Sequence, residues 1–236
     1  MSTLHKPQDD ELSYPVTERS RLKRTYKRGH YDHETVHGIL DATLTCTIAY
    51  SIDGLPYATP TMHWRMGQRV YWHGSSASRM LKNQARSIPV CLSVMAIDGI
   101  VMARSAFHHS MNFRSVMAFG DARLVTDPEE TDSALEALME RIAPGRWHEA
   151  RKPNAQELKA TKLIALDLEE VSAKIRTGDP VDDEEDMELP VWAGVLPVRQ
   201  VVGLAVHDRL QGEQLGERPA SEMDELCKAL EQSFLP

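Results

Sequence analysis

Apolar positions change period several times along the chain. In HETVHGIL, residues 33–40, Val36, Ile39 and Leu40 recur at helical spacing behind Asp32, a good N-cap, and predict a short helix. Residues 43–52, TLTCTIAYSI, are rich in β-branched side chains and read as a strand. Asp53-Gly54 then signals a two-residue hairpin. The return strand 55–65 carries Pro56 and Pro60, which suit an edge or a bulge. After a turn at 66–68, residues 69–73 form a third strand. A helix capped by Ser76 or Ser78 follows, through Met80, Leu81 and Gln84. PVCLSVMAI, 89–97, is a strand that Asp98-Gly99 should close as a second hairpin. Strands are expected again at 100–106 and 111–125. A helix headed by Asp127-Pro128 runs to Pro144-Gly145, a short one sits near 154–160, and a last long strand covers 162–169. Residues 171–190 read as loop, and 220–233 as an amphipathic helix.

Short strands, hairpin turns and few helices define a mainly β antiparallel barrel or sandwich with helical decoration. There is no βαβ rhythm, no GxGxxG and no GxxxxGK[ST], so a Rossmann or P-loop nucleotide site is not expected. The length of 236 residues suits one large domain, with 42% hydrophobic and 26% charged residues. Cys46, Cys91 and Cys227 form no CxxC pair, which argues against a disulfide framework or a zinc knuckle. With no apolar signal region and no long apolar run, a cytoplasmic chain with reduced thiols is expected. The formal charge of −8 argues against nucleic acid and anionic membranes as partners. That charge is concentrated in DDEEDME, 182–188. Without its six acids the chain is nearly neutral, while RSRLKRTYKR, 19–28, holds six bases in ten.

Three constellations carry chemistry. Trp72-His73-Gly74-Ser75-Ser76-Ala77-Ser78-Arg79 stands where a strand gives way to a helix. Its hydroxyls, backbone N–H groups and guanidinium make an anion site suited to a phosphate monoester, or else a plain capping turn. His108-His109-Ser110-Met111-Asn112-Phe113-Arg114-Ser115 reads as a ligand-facing rim or a polar loop. A metal centre converging His63, His73, His108 and His109 has no HExxH or His-x-His spacing behind it, so none is expected. Lys174-Ile175-Arg176-Thr177-Gly178 leads into the acidic run and then Trp192-Ala193-Gly194, where the indole either stacks on a planar ligand or packs in the core. No GxSxG occurs, and Cys91 lies inside an apolar strand, so nucleophilic triads lack support.

In order, GLPYATPTM (54–62), VYWHGSSASR (70–79), HHSMNFRSV (108–116), FGDA (119–122) and VWAGVLP (191–197) resemble the pyridoxamine 5'-phosphate oxidase-like, FMN-binding split-barrel superfamily. More narrowly they are similar to its nitroimidazole-resistance (Nim-like) branch. The resemblance spans roughly residues 19–200. It implies a six-stranded antiparallel split barrel and a homodimer with FMN in clefts between subunits. On this resemblance the flavin phosphate lies on Gly74, Ser75, Ser76, Ser78 and Arg79, and Thr59, Pro60, Thr61 and Met62 follow the ring edge. Arg114 and Ser115 approach from the second subunit, Trp192 stands near the ring, and Lys174 and Arg176 reach the same cleft. His73 matches a histidine beside the flavin or its substrate and is the candidate catalytic group. Ser78 replaces a second basic residue of the vitamin enzyme, and that enzyme's C-terminal arginine motif has no counterpart, which argues against pyridoxamine phosphate oxidation.

The resulting domain plan is an arm at 1–18, loose over 1–16, the split barrel at 19–200, and an extension with a terminal helix at 201–236. The function expected is an FMN-dependent oxidoreductase that passes electrons from reduced nicotinamide to a small planar acceptor such as a nitro-aromatic. The alternatives are a non-enzymatic flavin-binding protein, a haem-binding split barrel using one of the four histidines, or a nucleic-acid-associated regulator using 19–28.

Overall fold

The computed structural model describes residues 12–203, 205–206 and 220–233. The strands are β1 (Gly29–His30), β2 (Thr45–Ile52), β3 (Leu55–Met62), β4 (Trp64–Met66), β5 (Arg69–Ser75), β6 (Pro89–Met102), β7 (Ser110–Asp121), β8 (Arg123–Leu124), β9 (Thr161–Asp167), β10 (Glu170–Arg176) and β11 (Gly194–Pro197). The helices are α1 (His33–Asp41), α2 (Arg79–Gln84), α3 (Pro128–Ile142), α4 (Arg146–Glu149), α5 (Ala155–Ala160) and α6 (Ala220–Ser233). All pairings are antiparallel. One sheet has the order β1-β10-β7-β6-β2-β3, with β11 added on β6, and the other runs β4-β5-β9-β8. The split, mainly β architecture is the expected one, built from a seven-stranded and a four-stranded sheet rather than six strands.

The two sheets face each other across the main core. Ile48, Leu92, Val116 and Val171 of the larger sheet meet Val70, Trp72, Ile164 and Leu166 of the smaller, and the Val36, Ile39 and Leu40 stripe of α1 joins them. Asp32 caps α1 by accepting the Thr35 N–H at 2.8 Å. A second cluster lies on the opposite face of the small sheet, where Trp64, Tyr71, Leu163 and Ala165 pack under Ala134 and Leu138 of α3. Arg141 of α3 reaches across to the end of α1. There its Nη2 donates to the carbonyls of Leu40, Asp41 and Thr43, which have no further helix turn to bond.

Three sequence expectations are corrected. Asp53-Gly54 does turn a hairpin, with φ of 51° and 77° as a type I′ turn requires. Asp98-Gly99 instead lies inside the continuous strand β6, as a bulge where the register with β7 shifts. Asp98 turns its carboxylate onto Arg114, and β11 presses on Gly99, where a Cβ would stand 2.7 Å from Val195 Cγ1. Second, part of the 171–190 loop is strand. β10 pairs with β7 over its whole length, and its Val171 and Ala173 are buried in the core. Third, the arm expected to be loose over 1–16 is docked where it is described. Ser13 bridges to Asp32, and Tyr14 is buried with its hydroxyl donating to Gln68 Oε1 at 2.6 Å. Residues 1–11, and 204, 207–219 and 234–236 of the extension, lie outside the described residues. No helix among the described residues is long and apolar enough to cross a membrane.

His63, between β3 and β4, is fully buried and donates from Nε2 to the Leu40 carbonyl at 3.1 Å. Burial, with Arg141 nearby adding to it, lowers the imidazole from 6.5 to about 4. The unfolded chain therefore takes up this proton near pH 6.5 and the native protein only near pH 4. The His63 contribution is complete above pH 6.5 and falls by about 3 kcal/mol as the pH drops to 4. His37 and His73, also lowered, act in the same direction. Urea titrations from pH 7 to pH 4 check this, and the part of the slope due to His63 should vanish in His63→Gln.

Candidate functional site

β3 is an edge strand, paired with β2 on one side only. Pro56 and Pro60 have no N–H to offer a neighbour and are tolerated there for that reason. The other edge of Thr59-Pro60-Thr61-Met62 is thus free main chain, half-buried at Thr59, Thr61 and Met62. Beside it, β5 ends in the turn Ser75-Ser76-Ala77-Ser78. The Ser78 N–H donates to the Ser75 carbonyl at 2.9 Å, and the Ser76 N–H to the Ala160 carbonyl at 2.7 Å. The Ser75 hydroxyl accepts the Ala77 N–H at 3.2 Å. Ser78 occupies the N-cap position of α2, yet its hydroxyl makes no capping bond. The expected capping turn is therefore formed by main chain, which leaves the Ser76 and Ser78 hydroxyls uncommitted among the described residues. Gly74 keeps the turn tight against α2, because a Cβ there would stand 3.1 Å from Leu81 Cδ1.

Arg79 projects from this turn with its guanidinium 4.6 Å over the Tyr57 ring of β3. It is exposed and pairs with no carboxylate among the described residues. A planar cation with unspent donors beside two free hydroxyls is matched to a phosphate dianion. Below the turn, Trp72 Nε1 donates to Gln84 Oε1 at 2.8 Å, both residues being fully buried, and fastens α2 to β5.

His73 alternates with Trp72 along β5, so it points away from the main core, edge-on to Trp64 at a centroid distance of 5.6 Å. Burial lowers its pKa, which keeps the ring neutral at pH 7, and its Nδ1 is buried without a partner. It makes no side-chain hydrogen bond among the described residues, so a ring lone pair is left for a ligand or a proton. The four histidines do not converge. His63 is in the core, whereas His108 meets Asp183 and His109 bonds the Ser105 carbonyl on the loop after β6.

The second set of expected residues lies elsewhere on the large sheet. Ser115 of β7 stands opposite Lys174 of β10, and its hydroxyl donates to the Lys174 carbonyl at 3.3 Å. Arg114 is held by a bidentate pair with Asp98, with Nη2 donating at 2.8 Å and Nε at 3.0 Å. Arg176 is buried on the Asn112 side chain and the Gly178 and Asp179 carbonyls, so its donors are spent inside the protein and do not reach a cleft. Trp192 is 62% exposed rather than a core residue, and its ring lies where a Gly194 Cβ would stand 2.8 Å away. β7 is three strands from β3, about 14 Å across the sheet. Of the two sets, Met62 and Arg114 border one shared space. They line a cleft of about 600 Å³ together with Thr43, Thr45, Asp98 and Arg199.

Sequence reasoning missed Asp98, Tyr57 and Gln84. Asp98 was absorbed into a turn signal. Tyr57 and Gln84 carry no motif of their own and matter through contacts made across separate elements.

An antiparallel split barrel with an anion-ready turn beside a free strand edge is the class this geometry defines. The chain belongs to the pyridoxamine 5'-phosphate oxidase family, whose model matches residues 32–175. It is similar, at 42% identity and a TM-score of 0.79, to the flavocytochrome Anf3 from Azotobacter vinelandii, with 86% of this chain and 93% of that one covered. It is also similar to an FAD- and haem-binding protein from Mycobacterium smegmatis, at 32% identity and a TM-score of 0.77, covering 83% and 96% of the two chains. A 5-nitroimidazole antibiotic resistance protein from Bacteroides thetaiotaomicron, at 18% identity and a TM-score of 0.51 over 62% and 86%, shares the fold. No curated protein matches.

Proposed function

We propose that the chain is a flavin-binding redox protein in which residues 19–200 carry the cofactor. The observation that supports this most directly is the turn at 75–79, where, among the described residues, Arg79 pairs with no carboxylate, the Ser76 and Ser78 hydroxyls make no hydrogen bond, and the free edge of β3 lies alongside. Arg79 binds the flavin phosphate, and the outer main chain of Thr59–Met62 hydrogen-bonds the ring edge. When bound, the flavin supplies two-electron chemistry, taking a hydride from reduced nicotinamide and passing electrons to a small planar acceptor. The protein's own contribution is to bind the phosphate and orient the ring.

The reading requires a second copy. Ser115 is about 14 Å across the sheet from β3 and Lys174 one strand further, so both serve the partner's flavin rather than their own protomer's. The face between carries exposed Met95, Ile97, Met111 and Met117, an apolar surface suited to burial in a homodimer.

A second component is favoured by the 42% identity to a flavocytochrome. His73 is held neutral by burial and has a ring lone pair uncommitted among the described residues, which is what axial ligation of haem iron asks of an imidazole. FAD is favoured over FMN by the Mycobacterium smegmatis protein.

The absorption spectrum of the purified dimer is the test, with chromatography of the released flavin. A flavin envelope with stoichiometric FAD or FMN is expected, together with a Soret band that His73→Ala removes while the flavin stays. A colourless protein that does not quench added FMN or FAD overturns the flavin reading. A Soret band unchanged in His73→Ala overturns the axial role.

A further inference from the structure

The acidic run 182–188 is not used by the proposed flavin site, and it folds onto the loop that carries His108. Asp182 pins it there. Its carboxylate is buried to 1% and accepts the Arg104 N–H at 2.9 Å, the Arg104 guanidinium at 3.0 Å and the Ser105 N–H at 3.4 Å. Beyond Asp182 the chain makes a single 3₁₀ turn, Glu184–Asp186, with the Asp186 N–H donating to the Asp183 carbonyl at 3.0 Å. Side chains three apart eclipse in such a turn, so Asp183 and Asp186 project to one side. His108 projects toward the same point from the other loop, its Nε2 3.1 Å from Asp183 Oδ2, with Phe107 edge-on to its ring at a centroid distance of 5.2 Å. One ligand atom from each of His108, Asp183 and Asp186 lies within 4.8 Å of the others.

We propose that His108, Asp183 and Asp186 form a binding site for a first-row divalent transition cation. Two carboxylates are brought together here with no arginine or lysine paired to either among the described residues, so the site lacks a positive charge. The ligand that closes the set is an imidazole from a loop 75 residues distant in sequence, which selects for zinc- or nickel-type ions over calcium and magnesium, whose ligands are oxygens. A tetrahedral cation at about 2.1 Å from its ligands holds them about 3.4 Å apart, within the spacing already present. Glu184, Glu185 and Glu188 border the adjoining open pocket with Asp183 and raise the local cation concentration. The bound ion would tie the 104–109 loop to the segment that leads into Trp192.

Zn²⁺ titration of the full-length protein by calorimetry, as isolated with its cofactors and after chelator treatment, tests this. A site with one Zn²⁺ per chain is expected, at least about tenfold weaker in His108→Ala and in Asp186→Asn. Ca²⁺ should bind it at least about a hundredfold less tightly than Zn²⁺. The stacked pair His33 and His37 on α1 is a competing place for zinc, so His33→Ala/His37→Ala serves as the control and should keep the site. Zn²⁺ affinity unchanged in both His108→Ala and Asp186→Asn, loss of the site only in the His33/His37 variant, or Ca²⁺ binding as tightly as Zn²⁺ would each overturn the assignment.

Discussion

Replacing Arg79 with alanine is expected to weaken flavin binding by about a hundredfold, close to 2.7 kcal/mol, while leaving the thermal midpoint of the flavin-free protein unchanged. The guanidinium is exposed and, among the described residues, rests on the Tyr57 ring without an ion pair, so its removal costs the fold little. Its donors are unspent, so its removal deprives a phosphate of a charge-assisted, two-pronged partner. Arg79→Lys should recover only part of the affinity, because a point ammonium cannot reproduce the fork or lie flat on Tyr57. Fluorescence titration with FMN and FAD separates the cases. If Arg79→Ala binds within twofold of the parent, the phosphate is not at this turn.

Trp72→Ala should destabilise the protein by about 4 kcal/mol, among the largest single effects available in this chain. The indole is fully buried between the two sheets, so its loss opens a cavity that facing strands cannot close. It also strands Gln84, whose Oε1 accepts the indole N–H and whose Nε2 already lacks a partner among the described residues. Trp72→Phe fills most of the volume and should cost about 1–3 kcal/mol, chiefly for the unpaired carbonyl of Gln84. Because Gln84 closes α2, both variants should also weaken flavin binding in proportion to the loosened helix, as Gln84→Leu should with less loss of stability. Urea unfolding with an unchanged m-value is the check on stability, and a Trp72→Ala cost below 1 kcal/mol would remove Trp72 from this role.

Most of the larger sheet could be read before the fold was seen. β2, β3 and the first half of β6 announce themselves through alternation or β-branched runs, and the Asp32 and Asp127 caps mark α1 and α3. β10 was missed because EVSAKIR alternates weakly, with small Ser172 and Ala173 at core positions, and only pairing with β7 makes it a central strand. β1 and β11 are too short to carry a period and exist through their partners. Asp98-Gly99 is the instructive failure. The dipeptide favours a turn locally, but Arg114 on the neighbouring strand and β11 lying over Gly99 stabilise an extended bulge instead.

The candidate site divides in the same way. The serine-rich turn and Arg79 were legible because their chemistry is local: consecutive hydroxyls and a cation at a strand end belong to one short stretch of chain. The role of Arg176 was not, since a basic residue near a cleft reads alike whether its donors face a ligand or, as here, Asn112 and loop carbonyls. The meeting of His108 with Asp183 and Asp186 was invisible for the same reason, as no spacing motif joins residues 75 apart. What the amino-acid sequence determined by itself was the period of each segment, its caps and turns, and the chemistry of contiguous motifs, all set by interactions over a few residues. Strand order, which donors stay free, and which distant charges come to share one point were decided only by the tertiary structure, because they depend on what the packed core leaves each side chain to touch.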